Sequence, residues 1–415
     1  MSARVVPIAI LAVLVSTFFP PAEQQNQLPS ASAQVPADLP LRTWIPRPLA
    51  SVGAGAMPAG RSGKHARWIF DGKRKRMVIA GGDWSPMPSL PTDSYFYDGQ
   101  NTVWALDVAT GKWEELSPYC RRAGEVQPAR PDTVTWVYDS KRDRYIIMPG
   151  YYFGIEKALQ ACPNAATPVQ GALLFNPETR AWERPPFAPP PSGYGGDNNA
   201  SFGVYDPVTD ALYRLYYEGG WGCNMDILYL GSNAWERIYL GRQPFSQDLR
   251  NANCVRDMMA IDVEKRNIYA INLGPTTFLL RYAIDEKRAY QEPAPPASFF
   301  VAPQGNEALL AFDPGNRVLL APNIADYGGE VLGLYIYHVD KKRWEVEPIP
   351  NRGVVAGHRV MGNVLGFDPV NNALVLIGGH SIPEGSRLDP GAPTENPKVY
   401  WLYRYGNAPV QTRKP

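Results

Sequence analysis

Of the four histidines in this chain, His65, His358 and His380 lie in polar stretches, where an imidazole can exchange a proton near neutral pH or ligate a metal. Asp83, Arg61 and Arg359 share those stretches. His380 follows Gly378-Gly379 as Asp83 follows Gly81-Gly82, and His358 precedes Asp368 by the same ten residues that separate Arg61 from Asp71. Three imidazoles, a carboxylate and an arginine form a set for acid–base work on a polar substrate held by an anion clamp, or for a metal. The spacing has no HxH or HExxH signature, so metal and cofactor stay unassigned, and histidines of ordinary polar loops fit the same positions.

A second set suits recognition. Trp84, Tyr151, Tyr152, Trp221 and Tyr327 offer faces that stack on sugar rings, while Asn198, Asn199, Arg250 and Asn253 offer donors to hydroxyl and carboxylate groups. The same types dominate protein–protein hot spots, so a glycan and a protein both fit. Cys120, Cys162, Cys223 and Cys254 are even in number and include no CxxC pair, which favours disulfides over zinc in an oxidising compartment.

These residues are spaced by a repeat. An aromatic or aliphatic residue, Asp, a turn and an apolar run recur six times, as in FDGKRKRMVIAGG and FDPVNNALVLIGG. The aspartates are Asp71, Asp139, Asp206, Asp262, Asp313 and Asp368, separated by 68, 67, 56, 51 and 55 residues, a period suited to propeller blades. Asp at a tight turn caps the turn amides, so these six are structural. After each of the first five comes a hairpin ending on a large ring: Trp113, Trp182, Trp235, Tyr290 or Trp344, expected to cover apolar surface between blades. The sixth copy ends at Lys398–Gly406 without an outer strand. Leu41–Leu49, with Trp44 at the equivalent place, is expected to supply that strand and close the ring, removing open sheet edges.

The expected fold is therefore an all-β, six-bladed propeller over residues 41–406, with 41–49 as closing strand, 34–40 as linker and 407–415 as tail. Up-and-down order puts tight hairpins at one end and the long connections at the other. The histidines, the aromatic rim and all four cysteines belong to the long-connection end, where neighbouring positions pair Cys120 with Cys162 and Cys223 with Cys254. Closure makes blades one and six neighbours, bringing His65 and Asp83 toward His358 and His380. His338, on a strand, lies off this face and is structural.

The double glycines Gly81-Gly82, Gly219-Gly220 and Gly378-Gly379, with hairpins ending in Trp, resemble kelch repeats of the galactose oxidase-like kind. The middle blades depart from the pattern, with MPG, INLG and APN in place of the glycines. Kelch propellers include copper sugar oxidases, sialic-acid mutarotases, polysaccharide lyases and protein-binding modules, so the resemblance implies the fold and no single activity. No assured Tyr–Cys pair for a copper radical site is apparent.

Composition narrows the partners. The 42 Pro, 37 Gly, 23 Tyr and 11 Trp fit short strands joined by turns. Net charge is +1 with both signs interspersed, which implies no basic field for nucleic acid or anionic lipid. Arg4 and the apolar Val5–Phe19, too short for a comfortable span, read as a signal peptide over residues 1–33 cleaved after the small-residue run Ala31–Ala33, with retention as an anchor as the alternative. The expectation is a secreted or periplasmic monomer that binds a glycan or protein through its long-loop face; the alternative is a saccharide-active epimerase, mutarotase or lyase.

Overall fold

The computed structural model describes residues 39–48, 66–81, 103–118, 125–128, 132–151, 168–169, 172–188, 203–218, 222–240, 259–272, 278–296, 310–324, 331–348, 364–377 and 399–407. The chain divides into Met1–Ala33 and Gln34–Pro415, and every described residue belongs to the second unit.

The described residues build six four-stranded antiparallel sheets and contain no α-helix. First in the chain is β1 (Trp44–Pro48). Blade one is β2 (Ala66–Asp71), β3 (Arg76–Gly81), β4 (Val103–Asp107) and β5 (Lys112–Ser117). Short β6 (Gln127–Pro128) precedes blade two, which is β7 (Asp132–Asp139), β8 (Arg144–Tyr151), β10 (Leu173–Asn176) and β11 (Ala181–Glu183); β9 (Pro168–Val169) pairs in parallel with β6. Blade three is β12 (Val204–Asp206), β13 (Ala211–Glu218), β14 (Gly222–Tyr229) and β15 (Ala234–Tyr239). Blade four is β16 (Met259–Asp262), β17 (Asn267–Asn272), β18 (Phe278–Ala283) and β19 (Arg288–Glu292). Blade five is β20 (Ala311–Asp313), β21 (Val318–Ile324), β22 (Val331–His338) and β23 (Arg343–Pro348). Blade six is β24 (Val364–Asp368), β25 (Ala373–Ile377) and β26 (Val399–Tyr403), completed by β1.

The innermost strands β24, β2, β7, β12, β16 and β20 touch one another in a closed cycle. Apolar packing follows the same circle. Trp68 and Met77 meet Val375 and Leu402 between blades one and six; Val78 and Ala105 meet Trp136 and Tyr145 between one and two; Val137 and Met148 meet Leu212 and Leu228 between two and three. Tyr213 and Met225 meet Ile268 and Tyr282 between three and four, and Leu319 and Tyr337 join Ile271 to Leu374 and Tyr403 across four, five and six. A sheet covered on both faces needs apolar residues at successive positions, which is why β25 reads ALVLI and is buried throughout. At the blade six to one contact the inner strands approach so closely that a Cβ on Gly366 would fall on the Met77 methyl and within 2.9 Å of the Trp68 Cβ.

Each repeat aspartate is buried and accepts from the amides of its own hairpin. Asp71 accepts from Arg74 N, Asp139 from Lys141 N and Arg142 N, and Asp206 from Val208 N and Thr209 N. Asp262, Asp313 and Asp368 accept from Lys265 N, Asn316 N and Asn371 N. Every such loop has four residues, the last in the left-handed region: Lys75, Asp143, Asp210, Arg266, Arg317 and Asn372. The second hairpin of blades one to five repeats this with Gly111, Arg180, Asn233, Lys287 and Lys342.

Blade six has no covalent second hairpin, yet it keeps the geometry. Arg42 has φ 53° and its amide donates to Arg404 O at 2.7 Å, as the Gly111 amide donates to Asp107 O at 2.8 Å. Two residues later Trp44 pairs with Tyr403 as Trp113 pairs with Leu106. The closing strand is thus the second half of a hairpin supplied from the other end of the chain.

One expected position is corrected. Trp113, Trp182, Trp235, Trp344 and Trp44 each stand opposite the penultimate or last residues of the preceding strand in one register, opposite Leu106, Phe175, Leu228, Tyr337 and Tyr403. In blade four that register belongs to Ala289, opposite Tyr282, and Tyr290 falls one residue later. A shift of one along a strand reverses the face. Tyr290 therefore packs beneath Arg281, 4.2 Å from its ring centre, while buried Ala289 leaves the interblade space to Tyr282 and Tyr213.

Candidate functional site

Because all the four-residue hairpins emerge at one end of the strands, the long connections must leave from the other. By chain position His65 immediately precedes β2, Asp83 and Trp84 follow β3, His358 and Arg359 precede β24, and His380 follows β25 by three residues. Their flanking strands belong to the neighbouring blades one and six, packed through Trp68, Ile79, Ile377 and Tyr400. His65, Asp83, Arg61, His358, Arg359 and His380 themselves lie outside the described residues. So do Trp84, Tyr152, Asn198, Asn199, Trp221, Arg250, Asn253 and Tyr327; Tyr151 ends β8, its backbone paired with Asp132. Among the described residues no group of three or more His, Cys, Asp and Glu is arranged to hold a metal.

Cys223 is fully buried near the start of β14, beside Leu240 and Met259, and no described cysteine is a free thiol. Cys120, Cys162 and Cys254 lie outside the described residues. His338 ends β22, with Nε2 2.9 Å from Glu345 Oε2 at the hairpin end, in keeping with a structural role.

The opposite end is consumed by architecture. Arg74 forks onto Asp143 at 2.7 and 2.9 Å, and Arg142 onto Asp210 at 2.8 and 2.7 Å, each reaching from one blade to the next. From the other direction Arg317 reaches Asp262 at 2.7 Å and Arg266 reaches Asp206. Two arms of guanidinium–carboxylate pairs thus converge on blade three. The Arg142 bond, with help from the Tyr205 hydroxyl, outweighs burial and lowers the Asp210 carboxyl to about 2. Burial works against the Asp206 carboxylate, but Arg266, the Thr209 hydroxyl and the turn amides hold it below its ordinary value. Among the described residues Asp313 and Asp368 receive no guanidinium; Asn316 and Asn371 bond them together with turn amides, and burial raises both.

At the closure the chain uses other partners. Arg42 donates to Glu345 at 2.8 Å and to the Tyr405 hydroxyl at 3.1 Å, and Tyr403 donates to Glu347 at 2.9 Å. Indole N–H groups add bonds between neighbours: Trp182 to Ser117 Oγ, Trp235 to Ala188 O and Trp344 to Pro293 O, each on or just after the outer strand of the preceding blade.

Sequence reading missed a row of charge inside blade three. Arg214, Asp226 and Arg237 stand opposite one another on β13, β14 and β15, with Asp226 bonded 3.2 Å from Arg214 and 2.7 Å from Arg237. They share the side of the sheet that Leu212 and Leu228 pack against blade two. Arg214 is 1% exposed, and burial pushes its pKa down. Only the pairing of β13 with β14 and β15 reveals the row, because the three residues have no spacing signature.

No protein-family model matches the chain, and neither does any curated protein. Among solved structures it is similar to TolB from Acinetobacter baumannii at 11% identity and a TM-score of 0.41, covering 69% of this chain and 54% of that one. It is also similar to U3-55K at 10% identity and a TM-score of 0.45, covering 86% of this chain and 97% of that one. These likenesses concern fold alone. The class is set by the six sheets, their register and the closed cycle of inner strands: a six-bladed β-propeller.

Proposed function

We propose that this propeller is an exported binding module of the kelch kind, recognising a glycan or a protein through its long-loop face. The observation that carries the reading is the division between the two ends. Buried aspartates, left-handed turn residues and interblade ion pairs occupy the hairpin end, leaving the long connections to carry variable chemistry on a rigid frame. Residues 1–33 serve as export signal in this reading, and the Cys120–Cys162 and Cys223–Cys254 bonds would brace the loops. The parallel pairing of β6 with β9 supports the first bond, since Cys120 lies seven residues before Gln127 and Cys162 six before Pro168. Burial of Cys223 beside Met259 supports the second, since Cys254 lies five residues before Met259.

The test is an array of neutral and acidic glycans, with candidate exported proteins as a second panel. Wild-type protein is expected to capture at least one ligand, and Trp84→Ala with Trp221→Ala to lose it by tenfold or more, about 1–3 kcal/mol for an aromatic anchor. Capture unaffected by both substitutions, or no capture in either panel, overturns the reading.

The packing of blade one on blade six favours a second reading: a saccharide-active enzyme using His65, His358 and His380 with Asp83 for proton transfer or metal binding and Arg61 or Arg359 as carboxylate clamp. Turnover of an acidic saccharide that the triple His→Ala variant abolishes would establish it; turnover retained by that variant would end it.

A further inference from the structure

The joints between neighbouring blades repeat one another, so a joint that departs from the pattern stands out. Between blades four and five the Tyr337 hydroxyl donates to Glu292 at 2.9 Å, and the Trp344 indole N–H donates to Pro293 O at 2.8 Å. Between blades five and six Tyr403 donates to Glu347 at 2.9 Å beside Trp44, the two rings 5.1 Å apart. Tyr282 of blade four stands at the place of Tyr337 and Tyr403, facing blade three. Its surroundings differ. Ala289 stands where the other blades have the indole, and Ile238, three residues beyond Trp235, stands where Glu292 and Glu347 follow Ala289 and Trp344 by three. The Tyr282 hydroxyl is buried with no hydrogen-bond partner among the described residues. A buried donor without an acceptor weakens the contact that encloses it.

Two other features hold the joint between blades three and four. At the hairpin end Arg266 reaches Asp206, and Lys287 reaches the Glu236 carboxylate at 2.7 and 2.8 Å. At the loop end Cys223 pairs with Tyr217 near the start of β14, on the side of the sheet that carries Tyr213, Leu215, Met225 and Ile227 into the packing with blade four. Cys223 is wholly buried beside Met259 of blade four and is not a free thiol.

We propose that the disulfide of Cys223 is a redox-sensitive clasp on the joint between blades three and four. Oxidised, it holds the loop end of the joint shut; reduced, it lets the two blades part there about the ion pairs of the hairpin end. Closing the clasp oxidises two thiols, their two electrons and two protons passing to a disulfide oxidant, and opening it reverses the exchange with a dithiol as reductant. Because Cys223 is buried, a reductant reaches its sulfur only while the joint is parted, so the rate of reduction reports the opening. The inference rests on the Cys223 bond of the reading above and on none of its ligands, so loss of ligand capture leaves it standing.

The experiment is hydrogen exchange on the full chain in three forms: oxidised, reduced with dithiothreitol, and carrying Cys223→Ser, which removes this bond alone. Reduction and Cys223→Ser are each expected to raise exchange by about tenfold in β14 to β18 and to leave β2 to β4 and β24 to β26 within about twofold. Tyr282→Phe, which removes the unsatisfied hydroxyl and keeps the ring, is expected to slow reduction by about fivefold. Tyr337→Phe, which takes a donor from Glu292 at a different joint, is expected to lower the melting temperature and leave the reduction rate within about twofold. Exchange raised evenly around the ring, a reduced chain that exchanges like the oxidised one, a bond that excess dithiothreitol leaves intact, or equal reduction rates for Tyr282→Phe and wild type would overturn the proposal.

Discussion

Asp206 shows how much one carboxylate can organise. It closes its own turn through two amides and receives Arg266 from the next blade, while wholly buried. Removing the guanidinium leaves a buried charge with only turn donors, so Arg266→Ala is expected to cost about 3 kcal/mol in urea denaturation at neutral pH. Asp210 gives the pH counterpart. Its carboxyl is lowered to about 2 in the fold, below the ordinary 3.8, by Arg142 foremost. Its contribution is thus fully present above about pH 4 and fades as pH falls toward 2. Melting curves between pH 5 and 2 should show a shallower acid loss for Asp210→Asn than for wild type, and identical slopes would contradict the pairing. At this scale the sequence was readable where identity is demanded: six buried turn carboxylates stand out as six Asp. The left-handed turn positions were not readable, because Lys, Asp, Arg and Asn all occupy them.

Elements were legible through their hairpins more than through their faces. The phrase around each Asp announces two strands and a turn, and Trp at the start of the outer strand announces the next pair. What the phrase cannot report is register, and Tyr290 is one residue away from the place its size suggests. The consequence is measurable. Trp182, 5% exposed and bonded to Ser117 of blade one, should cost about 3–5 kcal/mol on truncation to Ala. Tyr290→Ala, which removes a ring lying under Arg281 at the surface, should cost under about 1 kcal/mol. Equal effects would place Tyr290 between blades after all. The loops carrying the candidate histidines and aromatics resist reading for another reason. They contain no hydrophobic period from which a conformation follows, so sequence yields their residue types and which end of the strands they join, and nothing finer.

For the whole molecule, the joint between the two ends of the chain is decisive. β1 completes blade six with the turn geometry of a covalent hairpin, Arg42 ties it to Glu345 of blade five, and Leu39 packs with Trp113 and Tyr400 beside blade one. Ile45 of β1 packs on the apolar seam of blades one and six, whose strands lead to His65, Asp83, His358 and His380, and both functional readings depend on that frame. The most direct measurement is strand complementation: a chain lacking residues 1–49 is melted alone and with a synthetic Leu41–Leu49 peptide. The structure predicts a large drop in melting temperature for the truncated chain, recovery with the peptide, and no recovery with a peptide carrying Trp44→Ala. A truncated chain that melts with the full-length protein and ignores the peptide would contradict closure by the N-terminal strand.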